Sequence, residues 1–180
     1  MIRPIVQFLI KRKAREDARI PSKVQGNLIM RVAVVAIGDD LEQFAHVTSY
    51  VKELRNRGLK TVDLYPFFHN KKRFEAFQGG LKDFPFTRKD FNLMGKFKSD
   101  MLRHSVGVSY DVLIDLTRGK AFPCDVLISK IEARWKAGEY DADREHLLDL
   151  MLDVKQNPDI RQLIHHLDHY LKNFNKSNAA

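Results

Sequence analysis

Cysteine is almost missing from this chain, with Cys124 alone among 180 residues. That excludes a disulfide framework and a cysteine-based metal site. Glycine and proline are sparse, at nine and six residues. No G-x-G-x-x-G, P-loop or H-E-x-x-H motif occurs, so dinucleotide, Walker-type phosphate and zinc-protease sites lack their sequence signals. No apolar run approaches the ~18 residues that cross a membrane. Internal repeats and low-complexity linkers are absent too.

What remains is the composition of one globular domain. The chain is 44% hydrophobic and 30% charged, and its length allows a real core. The net charge of +8 is unevenly spread. Residues 1–23 carry seven basic and two acidic side chains, and residues 69–103 carry nine and four. Residues 24–68 are balanced, and residues 104–180 hold ten basic against twelve acidic. Two local basic patches argue less for non-specific nucleic-acid binding than a uniform basic coat would.

Ile2, Ile5, Phe8 and Leu9 lie at helical spacing before Lys11-Arg12-Lys13. The order of charge and apolar residues is wrong for a signal peptide, and no small-residue cleavage site follows. Residues 1–24 therefore read as a basic amphipathic arm. It either packs on the domain or lies in the plane of an anionic membrane, touching it through residues 1–19.

The α/β domain is expected over residues 25–176, with a frayed tail at 177–180. Residues 28–37 form the first apolar strand, and Gly38-Asp39-Asp40 its turn. Leu41, Phe44, Ala45, Thr48, Val51 and Leu54 mark one helix face, and Gly58 ends the helix. Residues 61–68 read as a strand, 69–78 as a short basic helix, 84–86 as a weak strand and 97–105 as another helix. Residues 110–117 are a buried strand, Pro123 opens a helix, 132–137 return as strand, and 147–154 are a further apolar run. The last helix starts at Asn157-Pro158-Asp159. Near-continuous apolar strands alternating with helices predict a single three-layer, Rossmann-like α/β domain with a mostly parallel sheet.

Four groups of residues could carry chemistry. Asp39 and Asp40 follow the first strand, where open α/β sheets bind ligands; either is also spaced to cap the next helix, Asp39 with Glu42 or Asp40 with Gln43. Thr117 and Arg118, with Gly119 and Lys120, leave a later strand at the same edge and could hold a phosphate or carboxylate. Eight of the twelve phenylalanines fall between 67 and 97, interleaved with Lys71, Lys72, Arg73, Arg88, Lys89, Lys96 and Lys98. That mixture suits a single-strand stacking platform or a partner surface, and equally an irregular segment stapled to the core. His165, His166 and His169 lie opposite the apolar face of the last helix. His165 and His169 are four apart and could share a metal, but a solvated face is the expectation. Cys124, beside Pro123 at a helix start, could have a lowered thiol pKa or be a small residue half-buried in the first turn.

The segments 86–96 (Phe-Thr-Arg-Lys-Asp-Phe-Asn-Leu-Met-Gly-Lys), 110–117 (Tyr-Asp-Val-Leu-Ile-Asp-Leu-Thr), 129–140 (Ser-Lys-Ile-Glu-Ala-Arg-Trp-Lys-Ala-Gly-Glu-Tyr) and 149–154 (Asp-Leu-Met-Leu-Asp-Val) carry a resemblance. Together they look like a family of small bacterial proteins built on a domain of unknown function. The order of elements from 110 onward also resembles, at fold level, the N-terminal Rossmann-like half of heptosyltransferase-type glycosyltransferases. Those enzymes hold a sugar nucleotide with a second domain, for which 180 residues leave no room. Neither resemblance implies a catalytic residue, cofactor or metal for this chain.

The leading expectation is a non-catalytic binding or interaction module of the cytoplasm, peripheral to the inner membrane face if the arm is an anchor, with a protein partner. The alternative is a small enzyme or ligand-binding domain for a phosphorylated or sugar-nucleotide ligand, using Asp39, Asp40, Thr117 and Arg118. Nucleic-acid binding through the central segment is the third.

Overall fold

Val32 to Ala36 are all buried, although neighbouring side chains on a strand point to opposite faces. A strand buried on both faces belongs inside a parallel sheet covered by helices. That is β1 (Arg31–Ile37) in the computed structural model, which describes residues 29–119, 121–154 and 159–177, with side chains to 173. The proposed arm, and residues 178–180 of the proposed tail, lie outside these residues.

After β1 come α1 (Leu41–Asn56), β2 (Thr61–Phe67), α2 (Lys71–Ala76), α3 (Asp100–Ser105), β3 (Tyr110–Leu116), α4 (Phe122–Lys130), β4 (Ala133–Glu139), β5 (Leu150–Leu152) and α5 (Ile160–Ser177). All five strands are parallel, in the order β2-β1-β3-β4-β5. The protein is thus an α/β domain of the doubly wound, flavodoxin-type order, consistent with a Rossmann-like fold. From β1 the chain winds outward first to β2 and then to β3. The carboxyl ends of β1 and β3 therefore flank the switch point where such sheets bind ligands.

Each face of the sheet has its own core. Val32, Val34 and Ala36 pack with Phe44, Val47 and Leu54 of α1 and with Leu163, Leu167 and Leu171 of α5. Ala33, Val35 and Leu113 pack with Val126 and Leu127 of α4 and with Phe86, Phe91 and Leu102. Burying each such side chain contributes about 1.5–3 kcal/mol, so both layers are needed to hold the sheet.

The structure moves several expected boundaries. In α1 the buried stripe is Phe44, Val47, Tyr50, Val51 and Leu54. Leu41 is exposed and so is Ala45, because α1 meets the sheet about a fifth of a turn away from the expected face. The run 147–154 contributes only three residues to the sheet. Leu147 and Leu148 are buried in the connection from β4 instead, packed on the α4 side. Residues 84–86 do not form a separate strand. They lie along the outer side of β2 through isolated bridges, Leu64 to Asp83 and Phe67 to Phe86, and so cover an edge that would otherwise invite pairing.

Candidate functional site

The turn after β1 is shaped by contact. Gly38 donates to Phe67 O at 2.8 Å, and a Cβ at Gly38 would lie 2.3 Å from Cε1 of Phe68, so only glycine fits. Asp40 then caps α1. Its Oδ1 accepts from the amides of Glu42 and Gln43 at 3.0 and 3.1 Å, and Gln43 Nε2 donates to Oδ2. Asp39 does not cap. It accepts from the amides of His69 and Asn70 at 2.8 and 2.9 Å and sits 2.9 Å from His69 Nδ1. Partial burial pushes the Asp39 carboxyl up, but these donors prevail and hold it below the usual carboxylate range. An aspartate orienting an imidazole is the first half of a proton-transfer device. Here the imidazole is 63% exposed and also meets the Phe67 ring edge-on.

At the end of β3 the charges turn the other way. Arg118 has φ +46° and Gly119 φ +144°, so the chain leaves β3 through two left-handed residues. Arg118 faces Glu139 at the end of β4, with Nε–Oε2 3.2 Å and Nη2–Oε1 3.1 Å. Thr117 is buried, and its amide donates to Asp115 Oδ1 at 3.0 Å. Asp39 is thus engaged with the loop after β2, and Arg118 with β4. Those strands lie on opposite sides of the β1–β3 pair. The structure brings the two loops to one switch point but directs their charges apart.

Beneath the edge lies a buried ionic cluster. Arg144, in the connection from β4 to β5, is 3% exposed. Its Nη2 is 2.7 Å from Asp115 Oδ2 and its Nε 2.9 Å from Asp125 Oδ1. These four atoms have no hydrogen bond beyond the ion pairs themselves. Nη1 lies 3.4 Å from Thr117 Oγ1. Burial pushes the Asp125 carboxyl up to about 6 against the pull of Arg144. The same burial raises Cys124, which is wholly inaccessible, so neither the lowered thiol pKa nor the half-buried position applies. Gly138 of β4 packs tightly beside this cluster: a Cβ there would lie 3.0 Å from Asp115 Cβ, so a side chain would push its neighbours by a few tenths of an ångström.

In the central segment the phenylalanines are interior. Phe67, Phe68, Phe86 and Phe91 are buried, while Phe74, Phe77, Phe84 and Phe97 are half-buried and pack on the two cores. Ring contacts run from Phe67 to Phe86, Phe91 and Phe97 at 5.2–6.0 Å. No aromatic of this group is left as a stacking platform. The basic side chains stay outside: Lys71 pairs with Glu75, Arg88 lies over the Phe122 ring, and Lys72, Arg73, Lys89, Lys96 and Lys98 are exposed.

On α5 the three histidines are exposed, as expected, and His169 contacts Asn173 rather than His165. Among the described residues no group of three His, Cys, Asp or Glu is placed to hold a metal. No described helix is long and apolar enough to cross a membrane. The sequence reading missed His69, Glu139, Asp125 and Arg144. Asp115 left a trace as a carboxylate inside an apolar strand; Arg144, in a polar connection, left none.

The chain belongs to a family of unknown function, DUF6913, whose model matches residues 5–174. The match spans nearly all of the described domain and reaches back to residue 5. No curated protein and no solved structure matches it.

Proposed function

We propose that this protein is a non-catalytic binding or interaction module of the cytoplasm. One observation carries the reading: among the described residues, the charged groups Asp39, Asp40, Arg118 and Arg144 at the carboxyl edge of the sheet are each partnered inside the fold. Asp40 caps a helix, Asp39 fastens a loop, Arg118 is matched by Glu139, and Arg144 is shared by Asp115 and Asp125. A charge already satisfied by a partner in the fold must give up that partner before it can serve a charged ligand.

A second reading draws on Asp39–His69, whose geometry suits a general base. It keeps open a small enzyme or binding domain for a phosphorylated or sugar-nucleotide ligand. The doubly wound order of the sheet is shared by many unrelated folds, so the likeness to the first half of heptosyltransferase-type enzymes stays one of element order in the sequence.

A double-mutant cycle on Arg118 and Glu139 tests whether the charge after β3 belongs to the fold or is kept for a ligand. If the pair belongs to the fold, Arg118→Ala and Glu139→Ala each destabilise, and urea unfolding gives a coupling of about 1–3 kcal/mol. If Arg118 is held for a ligand, Arg118→Ala leaves stability unchanged and removes binding instead.

A further inference from the structure

The turn at 92–96 projects two apolar side chains from a basic surface. Phe91 and Phe97 form an antiparallel bridge, and their rings pack on each other and into the core. Asn92 closes the turn. Its Oδ1 accepts from the amides of Met94 and Lys96, both at 2.9 Å, while its own amide donates to Lys96 O. One step down the hairpin, Lys98 N donates to Asp90 O at 2.7 Å. Side chains alternate along such a hairpin. Inward-facing Phe91 and Phe97 therefore put Lys96 and Lys98 on the outer side. At the tip, Leu93 is 62% and Met94 65% exposed.

Deepening the interaction-module reading, we infer that this turn docks on an anionic lipid surface. Leu93 and Met94 enter the interfacial layer while Lys96 and Lys98, with Lys89 at the hairpin base, meet the headgroups. Charge complementarity selects the occupant, since residues 69–103 hold nine basic against four acidic side chains. Shape selects a bilayer over a protein. The apolar pair stands exposed at the end of a turn, and a fluid interface accepts two such side chains without a matching pocket. The tip is held by hydrogen bonds and anchored by two core phenylalanines, so insertion needs no refolding.

The test is co-sedimentation of the full chain with phosphatidylcholine vesicles, with and without phosphatidylserine. Wild-type protein should bind only the anionic vesicles, and less as salt rises. Lys96→Glu with Lys98→Glu should weaken binding about 25-fold or more, at about fivefold per lysine removed. Leu93→Ser with Met94→Ser should weaken it about tenfold. All four side chains are exposed, so both variants should melt as the wild type does. Neutralising the arm in full-length protein (Lys11→Gln, Arg12→Gln, Lys13→Gln) must leave the effect of the turn variants in place. In a Leu93→Trp variant, emission should shift to the blue on adding anionic vesicles. Several results overturn the inference while leaving the interaction-module reading standing: no binding to anionic vesicles, equal binding to neutral ones, turn variants that bind like wild type, or capture by an acidic protein with no vesicle binding.

Discussion

Asp115 and Asp125 put two carboxylates where a sheet edge has almost no water, and Arg144 is the group that makes this tolerable. The conflict shows at Asp125. It keeps its proton up to about pH 6 in the fold, against an ordinary value of 3.8. A folded-state pKa raised in this way means that the native protein binds more protons than the unfolded chain between those values. The stability Asp125 contributes is therefore full below about pH 4 and is lost as the pH rises through 6. Asparagine does not titrate. The stability of Asp125→Asn relative to wild type should thus improve between pH 4 and pH 7, by about 3 kcal/mol at most. Urea unfolding at the two pH values measures it. A flat difference would mean that Arg144 keeps Asp125 ionised throughout. At this scale the sequence was half legible. Asp40 could be read as a cap because a cap and its partner sit three residues apart. Asp39, equally placed, spends its oxygens on His69 and Asn70, 30 and 31 positions away. No local pattern reports such a contact.

At the scale of elements, α5 is held to α1 by more than its apolar stripe. Asp168 lies in that stripe, 9% exposed. It accepts from Tyr50 Oη at 3.2 Å and from Arg57 Nη2 at 3.0 Å, with a further bond from Arg57 Nη1, and pairs with Lys172 at 2.7 Å. Burial pushes its carboxyl up, but the donors from Arg57 and Lys172 prevail and hold it below the usual range. Its contribution is therefore present above about pH 4 and is lost in acid. Asp168→Ala should cost about 2–4 kcal/mol at neutral pH, because it strands a buried tyrosine hydroxyl and a partly buried guanidinium. Asp168→Asn, which still accepts, should cost less. A loss under about 1 kcal/mol would show that the helix pair rests on apolar contact alone. Periodicity made the type and order of most elements readable. It could not show that β5 takes only three residues of an eight-residue apolar run. Leu147 and Leu148 satisfy the same hydrophobic demand by packing under the β4–β5 connection, and a run of apolar residues does not say which kind of burial it will find. Lys136 is the converse, a charged residue at a buried strand position whose ammonium reaches Ile128 O at the end of α4.

For the whole molecule, strand order was the missing fact. Apolar strands alternating with helices predict a parallel sheet, but only the order β2-β1-β3-β4-β5 puts the loops after β1 and β3 side by side. Once there, their charges are seen to serve the fold: toward the β2 loop on one side, toward β4 on the other, and downward into the Arg144 cluster. The surface left for partners is then the basic outer side of 69–103, whose phenylalanines are occupied in the cores. A carboxyl edge closed by its own ion pairs should bind no small charged ligand, and a thermal-shift screen of the wild-type chain against nucleotides, sugar phosphates and divalent metals tests this most directly. A true ligand at a hundred times its Kd adds about 2.7 kcal/mol, a rise of about 5–10 °C for a chain of this size. The expected result is no such rise for any member of the panel; a nucleotide or sugar phosphate that raises the melting temperature by that amount in wild type, and not in Arg118→Ala, would contradict it.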